Sequence, residues 1–194
     1  MKKTVLKLGV IALALVMLLS CFAACGGGEN DDPAVDDSMK VHTMNGTSFK
    51  YPKNFMVAID TDEMFTAMNI TTQDAVSVVS ASVEISDEEV EHIETQIAEG
   101  TLFTEDFPDG SSLEEVYAAQ LGVDVDNVTV SILNNTTIKL TFEREDLLSD
   151  KVSYCTAYYQ TVLDAENNIC YNNVITVMES SPSYELGSKV MGLK

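Results

Sequence analysis

Chemistry in a chain of this kind would have to come from thiols, imidazoles, carboxylates or phenols, and each is present in a telling number. The 194 residues hold four cysteines, two histidines, seven tyrosines, 31 acidic residues and no tryptophan. Cys155 and Cys170 are the two thiols of the C-terminal half. A nucleophilic cysteine needs a base beside it, and no local motif links His42 or His92 to either thiol. Metal ligation by the histidines is equally poorly supported, because neither lies at ligand spacing from another imidazole or thiol. Asp124, Asp126 and Asn127 resemble the start of a calcium loop, but Val128 and a missing glycine break the pattern. Asp60, Asp62 and Glu63 read as a solvated turn. With 31 carboxylates some pairs will lie close by chance, so pairing alone does not identify a glycosidase. No nucleophile elbow, glycine-rich phosphate loop or zinc motif is present. The reading is of a chain with no catalytic residues, metal ligands or cofactor.

The remaining thiols sit in a different setting. Lys2, Lys3 and Lys7 precede an almost unbroken aliphatic run from Val5 to Leu19. That run is short for a membrane span of about 20 residues but suits the core of a secretory signal. Phe22-Ala23-Ala24-Cys25 then places two small residues before a cysteine, with Gly26-Gly27-Gly28 behind it. This resembles the bacterial lipoprotein signal, in which the cysteine thiol receives a diacylglyceryl group and becomes the mature N-terminus. Phe22 stands where that pattern prefers Leu. Leu18-Leu19-Ser20-Cys21 competes with it, but bulky Leu19 fits less well, so Cys25 is the preferred lipidation site. The resemblance implies an extracytoplasmic protein held on the cell membrane, because two acyl chains anchor stably where one does not.

Cleavage after residue 24 would remove three lysines and no acid from a chain of net charge −20. Such a balance excludes nucleic acid as a partner, since phosphate binding needs Lys/Arg density. It also excludes electrostatic docking onto anionic lipid. Residues 25–44 are expected to form the lipidated cysteine and an acidic tether, rich in Gly and Asp through Asp37 and poor in large apolar groups. A flexible segment of that kind reaches on the order of 20 Å. Residues 45–194 are expected to form a single domain.

Periodicity assigns its elements. Thr47–Pro52 alternates Phe49 and Tyr51 with polar residues, Lys53-Asn54 turns the chain, and Phe55–Ile59 extends again. Met64–Ile70 fits either a helix or a strand presenting Met64, Thr66, Met68 and Ile70 on one face. Asp74–Ile85 is β-rich. Ser86 with Glu89, and Ser112 with Glu115, are capping boxes that start helices ended by Gly100 and Gly122. Phe107-Pro108-Asp109-Gly110 has turn chemistry. A hairpin follows around Asn134-Asn135, then a loop over residues 143–150. Lys151–Leu163 and Ile169–Met178 form a long hairpin, and a short helix starts near Ser183. The order predicts an α+β fold with a mainly antiparallel sheet flanked by helices.

The long hairpin constrains its thiols and tyrosines. With its turn centred near Glu166, Cys155 would face Val177 and Cys170 would face Val162, roughly 20 Å apart along the ladder at ~3.3 Å per residue. A disulfide needs Cα atoms within about 7 Å, so two free, packed thiols are expected. Tyr158 and Tyr159 are adjacent and must point to opposite faces. If one sheet face were open, a tyrosine there would suit protein contacts; if both are covered, both pack.

Phe49-Lys50-Tyr51-Pro52-Lys53-Asn54-Phe55 is similar to the F-x-Y-P-x-x-W opening of PsbP-like domains, the group that includes the Mog-type Ran-binding proteins, with Phe55 where Trp is usual. The later order of helix, hairpin, long hairpin and terminal helix also looks like that family, so the resemblance spans about residues 45–194. It implies an α/β/α sandwich and an accessory or protein-binding role without catalysis. Two function classes follow. The first is a membrane-anchored, non-catalytic module that binds another envelope protein. The second is an extracytoplasmic hydrolase, or a lipoprotein binding a small ligand or cation.

Overall fold

The computed structural model describes residues 38–104, 111–145 and 151–191. The expectations for the signal, for Cys21 and Cys25, for most of the tether and for the turn at Phe107–Gly110 lie outside the described residues.

A hairpin opens the fold. β1 (Met39–Met44) pairs antiparallel with β2 (Thr47–Pro52) through an Asn45-Gly46 turn with φ of 46° and 76°. Two successive positive-φ residues make the tight turn whose twist matches a hairpin, which is why Asn-Gly is favoured there. β1 corrects the expected boundary at residue 45: composition gave its six residues to the tether, although the Asn-Gly dipeptide behind them was a hairpin signal.

Seven further strands form one antiparallel sheet in the order β3-β4-β5-β9-β8-β7-β6. They are β3 (Met56–Asp60), β4 (Met64–Met68), β5 (Ala75–Glu84), β6 (Val128–Asn134), β7 (Thr137–Glu145), β8 (Val152–Asp164) and β9 (Ile169–Glu179). Met64–Met68 is therefore strand. Phe65 and Ala67, on the face opposite the methionines, are fully buried, and Thr66 on the methionine face is buried as well. The β6–β7 turn falls at Asn135-Thr136, one residue later than expected, with Asn134 Oδ1 accepting from the Thr136 amide and hydroxyl. β7 runs on to Glu145, opposite Val152, into the stretch expected to be loop. Both edge strands, β3 and β6, carry a register shift. Such irregularities make an edge a poorer template for a further strand.

Directly opposed residues share a face, so register divides the core in two. On one face, Phe65, Val78, Ile175 and Tyr158 lie in a row, with Ala67, Val76 and Val177 beside them. The β1–β2 hairpin covers that face with Met44, Phe49 and Tyr51, and α3 (Glu185–Val190) adds Val190. Phe65 is the hub, with its ring 5.2 Å from Phe49 and 5.0 Å from Tyr51. The other face is covered by α1 (Asp87–Glu99) and α2 (Leu113–Leu121). α1 sets Val90 and Ile93 against Val83, Leu163 and Cys170. α2 sets Ala118, Tyr117 and Leu121 against Ile138, Leu140, Phe142 and Cys155. Both capping boxes form, and Gly100 and Gly122 end their helices in the left-handed conformation.

α3 is seated by its backbone. Buried Glu179 accepts from the amides of Leu186 and Gly187 at 2.8 and 2.9 Å, and the Tyr158 hydroxyl donates to the Gly187 carbonyl at 2.8 Å. A Cβ built on Gly187 would fall 2.2 Å from Thr156 Oγ1, so only glycine fits there.

Candidate functional site

Two turns meet at one end of the molecule and leave a groove between them. The Asn45-Gly46 tip lies against Val162, near the far end of the β8–β9 hairpin. Polar contacts fix the tip. Asn45 Nδ2 donates to the Asp62 carbonyl at 3.0 Å and to Ser80 Oγ at 2.7 Å. Asn173 Nδ2 donates to the Asn45 carbonyl at 3.2 Å and to Thr47 Oγ1 at 2.6 Å, and that hydroxyl donates to Gln160 Oε1 at 2.7 Å.

The groove itself measures about 470 Å³ and is open to solvent. Val162, Ala165 and Tyr171 give it an apolar and aromatic floor, and Asp164 and Glu166 supply its only ionisable carboxylates. Asp164 is committed to the turn: its two oxygens accept from the Asn167 amide at 3.2 Å and from Asn167 Nδ2 at 2.9 Å. Glu166 is exposed. Asn168, held at φ 55°, donates to Asp87 Oδ1 at 2.6 Å and so ties the hairpin end to the first turn of α1.

The residues singled out from sequence fall elsewhere. Every pair along β8–β9 lies one position beyond the expected register, so Cys155 faces Met178 and Cys170 faces Leu163. Leu163 is eight residues along β8 from Cys155, about 26 Å at ~3.3 Å per residue. Both thiols are free and buried, in separate core clusters. Burial pushes the Cys155 thiol up to about 12, and the Cys170 thiol is raised for the same reason. Tyr158 and Tyr159 do point to opposite faces, and both faces are covered. Tyr158 packs under the hairpin, and Tyr159 packs against Tyr117 at 4.9 Å between ring centres. Burial raises both hydroxyls of that pair, Tyr159 to about 12. An open tyrosine face is therefore not what these two residues provide.

His42 and Asp60 are brought together, with Nε2 3.5 Å from the carboxylate and the imidazole stacked 4.5 Å from Phe65. His92 is exposed on α1. Asp124 accepts from the Asp126 amide at 3.1 Å and so caps a single 3-10 turn over Val125–Asn127. Among the described residues no three His, Cys, Asp or Glu side chains converge as metal ligands. No helix there is long and apolar enough to cross a membrane.

Sequence reasoning missed Asn45, Gly46 and Val162 as groove residues, whereas Tyr171 belongs to the four tyrosines of the last hairpin, with Tyr154, Tyr158 and Tyr159, that it singled out for protein contacts. The Asn-Gly dipeptide could have located the tip, whereas nothing local says that it would land on Val162. Compared with models of known protein families and with curated proteins, the chain matches none.

Proposed function

We propose that the chain is a lipid-anchored, extracytoplasmic module, attached at Cys25 and acting without catalysis by binding another envelope protein. The observation that carries this reading is the segment Phe22-Ala23-Ala24-Cys25 behind a basic start and an aliphatic core. Two features of the fold support it. Its titratable groups with strongly displaced ionisation are buried packing residues, set apart from the groove. Its β1 strand begins at Met39, leaving residues 26–38 as the span between the anchor and the domain. The architecture, with helices against one sheet face and a hairpin and helix against the other, is compatible with the α/β/α sandwich of PsbP-like domains. We assign the chain to that group as part of this proposal.

The test is labelling of expressing cells with palmitate, followed by membrane fractionation. The wild-type chain should carry label and sediment with membranes. Cys25→Ala should lose both, while Cys21→Ala should keep them. Label retained in Cys25→Ala and lost in Cys21→Ala would move the anchor to Cys21, and label in neither the wild type nor any variant would remove it.

A further inference from the structure

The end of the fold that holds the groove is strongly acidic. No Lys or Arg occurs between residues 54 and 138, or between 152 and 188. The two stretches meet where Asn168 bonds Asp87. Asp87, Glu88 and Glu89 occupy the first turn of α1, Glu84 ends β5, and Asp164 and Glu166 flank the hairpin end. Of the basic side chains, Lys40 sits over the Tyr51 ring, Lys151 donates to Gln73 beyond the start of β5, Lys189 pairs with Glu185 on α3, and Lys139 stands opposite Tyr158, four positions along β8 from Val162. The chain joins the fold at Met39, whereas the groove begins at Asn45, the other end of β1 and about 20 Å away at ~3.3 Å per residue.

We propose that this groove is the docking site for an extended, Lys/Arg-bearing segment of a partner protein. The argument is complementarity of shape and charge. Val162 and Ala165 offer the apolar surface along which a lysine or arginine stem lies, and Tyr171 offers a ring to the cationic head. Glu166, the exposed carboxylate of the lining, then meets a cation with no lining base to compete. A second copy of the chain is a poor occupant, because two molecules of net charge −20 repel. The groove lies at the end of β1 remote from the attachment point, where an anchored molecule is clear of its own tether. The inference rests on the adaptor reading above and names the chemistry of its partner.

The test uses the full chain in detergent and a fluorescent eight-residue peptide of alternating Val and Lys, with a Val/Glu peptide as control. The Val/Lys peptide should bind and the control should not. Glu166→Lys should weaken binding tenfold or more, and Tyr171→Ala at least threefold. Asp126→Lys, the same charge change on a distant turn, should alter it less than twofold. An equal loss in Asp126→Lys would reduce the effect to general acidity and overturn the site, as would the absence of peptide binding. Competition by spermidine as effective as the peptide would also overturn a protein segment as the occupant. Cross-linking in intact membranes separates the two readings. A partner captured by wild type and lost in Glu166→Lys supports the groove. A partner retained by Glu166→Lys leaves the adaptor standing and overturns the groove.

Discussion

Cys155 and Gly187 are side-chain opposites with the same lesson: each is fixed by what lies across from it. Cys155 is covered by α2 and Phe142, and desolvation is what lifts its thiol from an ordinary value of 9.0 to about 12. The sign of the consequence is definite. Below pH 9 the thiol is neutral in both folded and unfolded chains. Between pH 9 and about 12 only the unfolded chain ionises, so the stability conferred by the neutral buried thiol is lost as pH rises. Denaturant unfolding at pH 8, 9 and 10 should show falling stability, with a shallower fall in Cys155→Ala. Equal slopes would mean that the thiol is not the titrating group. In native protein at pH 8, alkylation of Cys155 and Cys170 followed by peptide mass spectrometry should find both protected, and both labelled after denaturation. At Gly187 a methyl group would have to displace buried Thr156. Gly187→Ala should cost about 2–3 kcal/mol, as overpacking does, and a variant as stable as wild type would contradict the seating of α3.

At the scale of elements, the two capped helices are the most locally determined parts of the molecule. In each, the serine hydroxyl accepts from the amide three residues on, and that glutamate reaches back to the serine amide: Glu89 to Ser86 at 2.9 Å, Glu115 to Ser112 at 2.7 Å. Ser86→Ala and Ser112→Ala should each cost about 1 kcal/mol in denaturant unfolding. The double variant should lose the sum, since the caps share no partner. A loss from Ser112→Ala with none from Ser86→Ala would mean that tertiary contacts alone hold α1. The strands are less local. Met64–Met68 could be read as either helix or strand, and only pairing with β5 placed Phe65 and Ala67 inward.

For the whole molecule the dominant fact is charge. A net of −20 on one chain destabilises the compact state by self-repulsion. Salt should relieve it, because the screening length falls from about 30 Å at 0.01 M to about 3 Å at 1 M. Thermal unfolding in sodium chloride should therefore shift upward across that range by on the order of 5 °C, the equivalent of roughly 1 kcal/mol. A melting temperature independent of salt would show that the acids are already spaced beyond effective repulsion.

Amino-acid order by itself determined the α+β class, the two capped helices, the long C-terminal hairpin and the acidity, because each depends on neighbours within a few residues or on composition alone. The tertiary structure decided what depends on residues far apart in the chain. β1 is held to β2 and packs over Phe65, so composition mistook it for tether. The β8–β9 register slid by one position because a turn fixes pairing through its geometry and not through its midpoint in sequence. The groove arises because Gly46 meets Val162 across 116 positions of chain, a closeness that no local pattern encodes.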